Sequence, residues 1–81
     1  MNLQEETLVI LMEECGEVIQ ECSKILRFGN DTSKLAKELG DLQMMINLTS
    51  RNLGIDSVKV GVYANEKREK LKKYSDIIVS D

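Results

Sequence analysis

Two short acidic stretches hold the residues best suited to chemistry: Glu13-Glu14-Cys15-Gly16-Glu17 and Glu38-Leu39-Gly40-Asp41. Both contain Glu-x-Gly followed by an acid. Each places two carboxylates three residues apart, which on an α-helix puts them on one side. Carboxylates crowded at the margin of an apolar core repel one another, and buried charges are paired or coordinate metals. An all-oxygen donor set selects a hard divalent ion, Mg²⁺ with Mn²⁺ as a possible substitute. The glycines break a local rule, because glycine inside a helix costs roughly 1 kcal/mol relative to alanine. Such breaks are expected at functional sites. A glycine beside each acid is expected to let two helix backbones approach until their carboxylates share an ion. A solvated acidic face explains any single pair of this kind. Two pairs with the same inserted glycine weigh against it.

The elements that must position these acids are helices. Over residues 3–28, Leu8, Met12, Cys15, Ile19, Cys22 and Leu26 recur at alternating steps of four and three, a seam for packing against other helices. Leu11, Val18 and Ile25 widen that face. The stretch 28–33 reads as a turn. Gly29 or Asn30 suits a left-handed cap, and Asp31, Thr32 or Ser33 can cap the next helix. The second helix is expected over 33–53, with Leu35, Leu39, Leu42, Ile46 and Leu53 along its face and Gly54 as its stop. With Leu35 as zero, Glu38 falls at about −60°, inside the apolar face, and Asp41 at about −120°, at its border. On the first helix, counted from Leu8, Glu14 falls at about −120°, and Glu17 about 60° deeper into the polar side. Asp56 or Ser57 begins a third element over about 57–74. Its start, Val58-Lys59-Val60-Gly61-Val62, alternates like a strand. A lone strand would have no partner, so helix is the expectation. The tail from Ser75 is either loose or a clasp onto a neighbouring subunit.

Composition narrows the function. An 81-residue chain makes one domain, 1–81, and is marginal alone. The expected fold is all-α: three main helices per chain, completing a four-helix-type bundle by forming a homodimer or tetramer. With no histidine, a His general base, a His-rich zinc site and a Ser-His-Asp triad are excluded within the chain. A net charge of −3 argues against a nucleic-acid partner. Cys15 and Cys22 lie about 10 Å apart along one helix, too far for a disulfide. They read as small core residues in a reducing compartment. The acidic N-terminus is not a signal sequence, and no apolar run suits a membrane span. A cytoplasmic location is expected.

The double motif resembles the MazG-like all-α nucleoside triphosphate pyrophosphohydrolases, whose signature is EExxE, a spacer, then ExxD. Here Glu13-Glu14-Cys15-Gly16-Glu17 is followed by residues 18–37 and then Glu38-Leu39-Gly40-Asp41. The apolar flanks "LVILM" and "LQMMINL" are also similar, and the likeness runs from about residue 5 to 74. The resemblance implies Mg²⁺-dependent hydrolysis of a nucleoside or deoxynucleoside triphosphate to monophosphate and pyrophosphate. It implies Glu14, Glu17, Glu38 and Asp41 as metal ligands, with Glu13 orienting a ligand or a water. The family's K-x-x-x-N-x-x-R stretch is matched by Asn65 and Arg68, which with Lys67 become candidate contacts to substrate. Its lysine is replaced by Gly61, and Lys59 or Lys67 are the candidates to substitute. Phe28 or Tyr63 could stack on a base or pack in the core. Other readings are a phosphoribosyl-ATP pyrophosphohydrolase of the same superfamily, a helical oligomer with a structural metal site, and a metal-free partner-binding bundle.

Overall fold

The computed structural model describes residues 1–78 of the chain. It contains α1 (Leu3–Phe28), α2 (Ser33–Leu53) and α3 (Ser57–Tyr74), and no strand among the described residues. The fold is all-α. The alternating start of the third element is helical from Ser57 onward. The tail's last residues, 79–81, lie outside the described residues.

The ends of the helices follow from local chemistry. Asn2 and Glu5 form a reciprocal capping box at the start of α1. Gly29 (φ 67°) and Gly54 (φ 69°) adopt the left-handed conformation that closes α1 and α2. At the start of α2 the Asp31 carboxylate accepts from the Ser33 amide at 2.9 Å and from the Ser33 hydroxyl. Asp56 accepts from the Val58 amide at 2.9 Å and starts α3.

α1 and α2 form an antiparallel hairpin. Its contact line on α1 is Thr7, Leu11, Glu14, Val18, Glu21 and Ile25, all buried or half-buried. On α2 it is Glu38, Leu42, Met45, Thr49 and Asn52. The seam starting at Leu8 is rotated by one residue, about 100°, and α2 does not cover it. Met12 is 68%, Ile19 69% and Leu26 87% exposed. Leu39 and Ile46 on α2 are exposed too. Cys15 and Cys22 are exposed free thiols, not the core residues expected, because they belong to this outer seam.

In an antiparallel pair, helix rotation brings these outer residues to the same side. Leu8, Met12, Ile19 and Leu26 of α1 therefore adjoin Leu39 and Ile46 of α2 in one broad apolar face. Glu13, Glu17 and Asp41 border the opposite side of the hairpin. Among the described residues, α3 makes no more than marginal contact with the other two helices. None of its residues is buried, and only Leu71 is half-buried.

The radius of gyration is 15.1 Å, against about 12 Å for a compact chain of this length. The accessible surface is 6493 Å², against about 4,900 Å² expected of a folded monomer. Met45 is the one buried hydrophobic residue among those described. No helix among the described residues is long and apolar enough to cross a membrane.

Candidate active site

Three of the expected acids meet midway along the hairpin. Carboxylate oxygens of Glu14, Glu38 and Asp41 all lie within 4.8 Å of one another, and all three residues are half-buried. The meeting follows from the antiparallel register. Glu14 belongs to the contact line of α1, Glu38 to that of α2, and Asp41 lies one turn on from Glu38 at the border of that line. Glu38 is the most enclosed of the α2 pair, with its side chain 14% exposed against 43% for Asp41. This is the order expected from its place inside the apolar face.

Glu14 bears the electrostatic cost. Its Oε2 is buried with no hydrogen-bond partner. Burial pushes its carboxyl pKa above the ordinary value, and the negative charges of Asp41, Glu38 and Glu17 push it the same way. Among the described residues, the Lys37 charge opposes them. The Lys37 ammonium lies 2.8 Å from Asp41 Oδ2 and 3.5 Å from Glu38 Oε1. Its own pKa is raised, first by the hydrogen bond to Asp41 and then by the Asp41 and Glu38 charges. An enclosed carboxylate oxygen with no donor, beside two further carboxylates, fits a hard divalent cation. Protein donors alone leave this oxygen unsatisfied.

Other expected site residues stand apart. Glu17 is exposed and outside the three-carboxylate cluster, acting on Glu14 only through its charge. Glu13 is exposed on α1. The expectation that Gly16 and Gly40 bring α1 and α2 close is not met within the chain. A Cβ built at either glycine meets nothing within 4 Å. Both lie off the contact line, on outward surface beside the acids.

Asn65, Lys67 and Arg68 lie on α3, which does not pack on the acidic cluster of its own chain. Asn65 and Arg68 share a side of that helix, whereas Lys67 points about 160° away from Asn65. Phe28 and Tyr63 are both exposed, so neither is core. Arg27 sits over the Phe28 ring at 4.9 Å. Two surface depressions lie elsewhere. One, at the α1–α2 turn, is walled by Glu21, Asn30, Asp31, Ser33 and Lys34. The other lies between α2 and α3 near Arg51 and Ile55.

Two residues escaped the motif reading. Glu21 is the most buried acid among the described residues, 8% exposed, with Lys24 at 3.4 Å. Its place seven residues after Glu14, on the same helical line, was the available signal. Lys37 precedes Glu38 and lies one turn before Asp41, a spacing that also announces the contact.

Residues 3–74 match the MazG nucleotide pyrophosphohydrolase domain. The chain belongs to this family. The MazG match begins with α1 and ends on the last residue of α3, so the detached third helix is an integral part of the MazG domain. Neither the curated proteins nor the solved structures contain a significant match to the chain. MazG membership identifies a nucleotide pyrophosphohydrolase, a hydrolase. The half-buried Glu14, Glu38 and Asp41 all lie within the matched span.

Proposed function

We propose that this MazG domain hydrolyses a nucleoside or deoxynucleoside triphosphate between the α- and β-phosphates, in a Mg²⁺-dependent reaction giving monophosphate and pyrophosphate. The observation that carries the reading is the enclosed, donor-less Oε2 of Glu14 beside Glu38 and Asp41. Glu14, Glu38 and Asp41 would hold the ion, and Glu17, exposed nearby, would join them by a change of rotamer. Bound Mg²⁺ would supply Lewis acidity that polarises phosphate oxygens and acidifies water. Glu13 and Glu17 sit on the solvent-facing side of α1, where a carboxylate can orient water or accept its proton. Asn65 and Arg68 share one side of α3 and are the candidate phosphate contacts, with Lys67 adding positive charge from another side.

The same reading includes assembly as a homodimer or tetramer. The chain exposes roughly 1,600 Å² more than a folded monomer of its length, and a stable interface needs about 800 Å² from each partner. The broad apolar face spanning α1 and α2 is the surface to cover, and two hairpins joined through it make a four-helix bundle. A detached α3 is then free to lie against a neighbouring subunit. The acidic net charge argues against nucleic acid as a partner, and two exposed free thiols suit a reducing cytoplasm.

The test is a panel of NTPs and dNTPs incubated with and without Mg²⁺, assayed for pyrophosphate. Metal-dependent release from at least one nucleotide is expected. No release from any nucleotide overturns the reading.

A further inference from the structure

We infer that Lys37 is the resident counter-cation of the carboxylate cluster, competes with the divalent ion for it, and so sets the metal affinity. The inference rests on the metal reading above. Its first support is geometric: one ammonium reaches both Asp41 Oδ2 (2.8 Å) and Glu38 Oε1 (3.5 Å), two of the three clustered carboxylates.

The second support is that nothing in the helix itself favours a lysine here. Lys37 lies near the N-terminus of α2, whose first turn contains no acid. A cation at that end opposes the helix dipole. The order of the pair, lysine four residues before the acid, is the weaker of the two orientations. The side chain is 70% exposed and supports no packing. Its stabilising contacts are therefore those to the carboxylates. A divalent ion entering the cluster needs the same lone pairs and meets the positive charge beside them. It must displace the ammonium into solvent, which the exposed, flexible stem permits.

The experiment measures binding of Mn²⁺ alone, by the loss of its free electron-paramagnetic-resonance signal, at low ionic strength and without nucleotide. Lys37→Met is expected to bind Mn²⁺ about three- to tenfold more tightly than the wild type, the range set by the two ion pairs of an exposed lysine. Lys37→Arg, which keeps the charge, is expected to stay within about twofold of the wild type by the same reasoning. Lys24→Met, which removes the lysine paired with Glu21 outside the cluster, is expected to leave affinity unchanged. The gain in Lys37→Met is expected to shrink at high salt. Lys37→Gln serves as a second neutral variant should Lys37→Met lose its helical circular dichroism.

Unchanged or weaker binding in the neutral variants, with saturable binding by the wild type, overturns the role of Lys37 and leaves the metal site standing. Equal tightening in Lys37→Arg and Lys37→Met also overturns it, because charge would then be irrelevant. A folded wild type that binds no Mn²⁺ overturns the metal reading and this inference together.

Discussion

The Asn52 side-chain amide donates to the Thr7 hydroxyl at 3.1 Å, joining the end of α2 to the start of α1 across 45 residues of sequence. The same hydroxyl donates to the Leu3 carbonyl at 2.7 Å. This contact pins the register of the hairpin. Seven residues on from Thr7 is Glu14, and seven back from Asn52 is Met45. The next two turns of α2 bring Asp41 and Glu38 to Glu14. A slip of one turn would separate the acids.

Thr7→Val removes that acceptor and leaves the half-buried Asn52 amide without its partner. The expected loss is about 1–2 kcal/mol of stability. A urea midpoint that does not move would show that the contact contributes nothing to the fold.

Glu38→Gln keeps size and hydrogen-bonding capacity but removes an anionic ligand from the most enclosed position of the α2 pair. Pyrophosphate release is expected to fall by roughly a hundredfold or more, with helicity unchanged. Glu66→Gln, on exposed α3 outside the motifs, is the control and keeps most activity. Wild-type turnover in Glu38→Gln would remove this residue from the metal site.

Mg²⁺ is expected to raise the melting temperature as it relieves repulsion among Glu14, Glu38 and Asp41. At a concentration one hundred times the dissociation constant, the added stability is about 2.7 kcal/mol. Equal melting curves in millimolar Mg²⁺ and in chelator would count against the site.

Two shifted carboxyls give opposite pH dependences in the metal-free protein. Asp31 titrates below its ordinary 3.8 because Ser33 donates to it twice. Its contribution to stability is present above pH 3.8 and disappears as pH falls through the depressed folded value. Asp31→Ala should therefore lower the melting temperature at neutral pH and make less difference in acid. Glu14 titrates above its ordinary 4.5, chiefly through burial. Its penalty is absent below pH 4.5 and grows as pH rises through the raised folded value. Glu14→Gln should accordingly raise the melting temperature of the metal-free protein at neutral pH, while abolishing its response to Mg²⁺. Thermal scans across pH in chelator check both signs.

Ile19→Glu places a charge in the outer apolar face without touching the α1–α2 contact line. The expected result is a smaller assembly by light scattering with helicity retained. A wild type that is monomeric at micromolar concentration would refute the assembly itself.

The sequence alone determined what is local. Helix ends were legible because Gly29, Gly54, Asp31 and Asp56 act within a few residues of themselves. The candidate acids were legible because spacing along one helix decides which carboxylates share a side, and the same spacing carries the MazG resemblance. Only the tertiary structure decided how the helices are rotated against one another. α1 bears two seams one residue apart, and the wholly apolar one from Leu8 to Leu26 is the stronger sequence signal. α2 instead packs on the other, where Leu11, Val18 and Ile25 are half-buried beside Leu42 and Met45 of α2 and Thr7 accepts from Asn52 across the two helices, a pairing that no single-helix pattern encodes. That rotation brings Glu14 rather than Glu17 to Glu38 and Asp41, and leaves Gly16 and Gly40 facing outward. It also exposes both cysteines, since a rotation of about 100° separates a contact line from open surface.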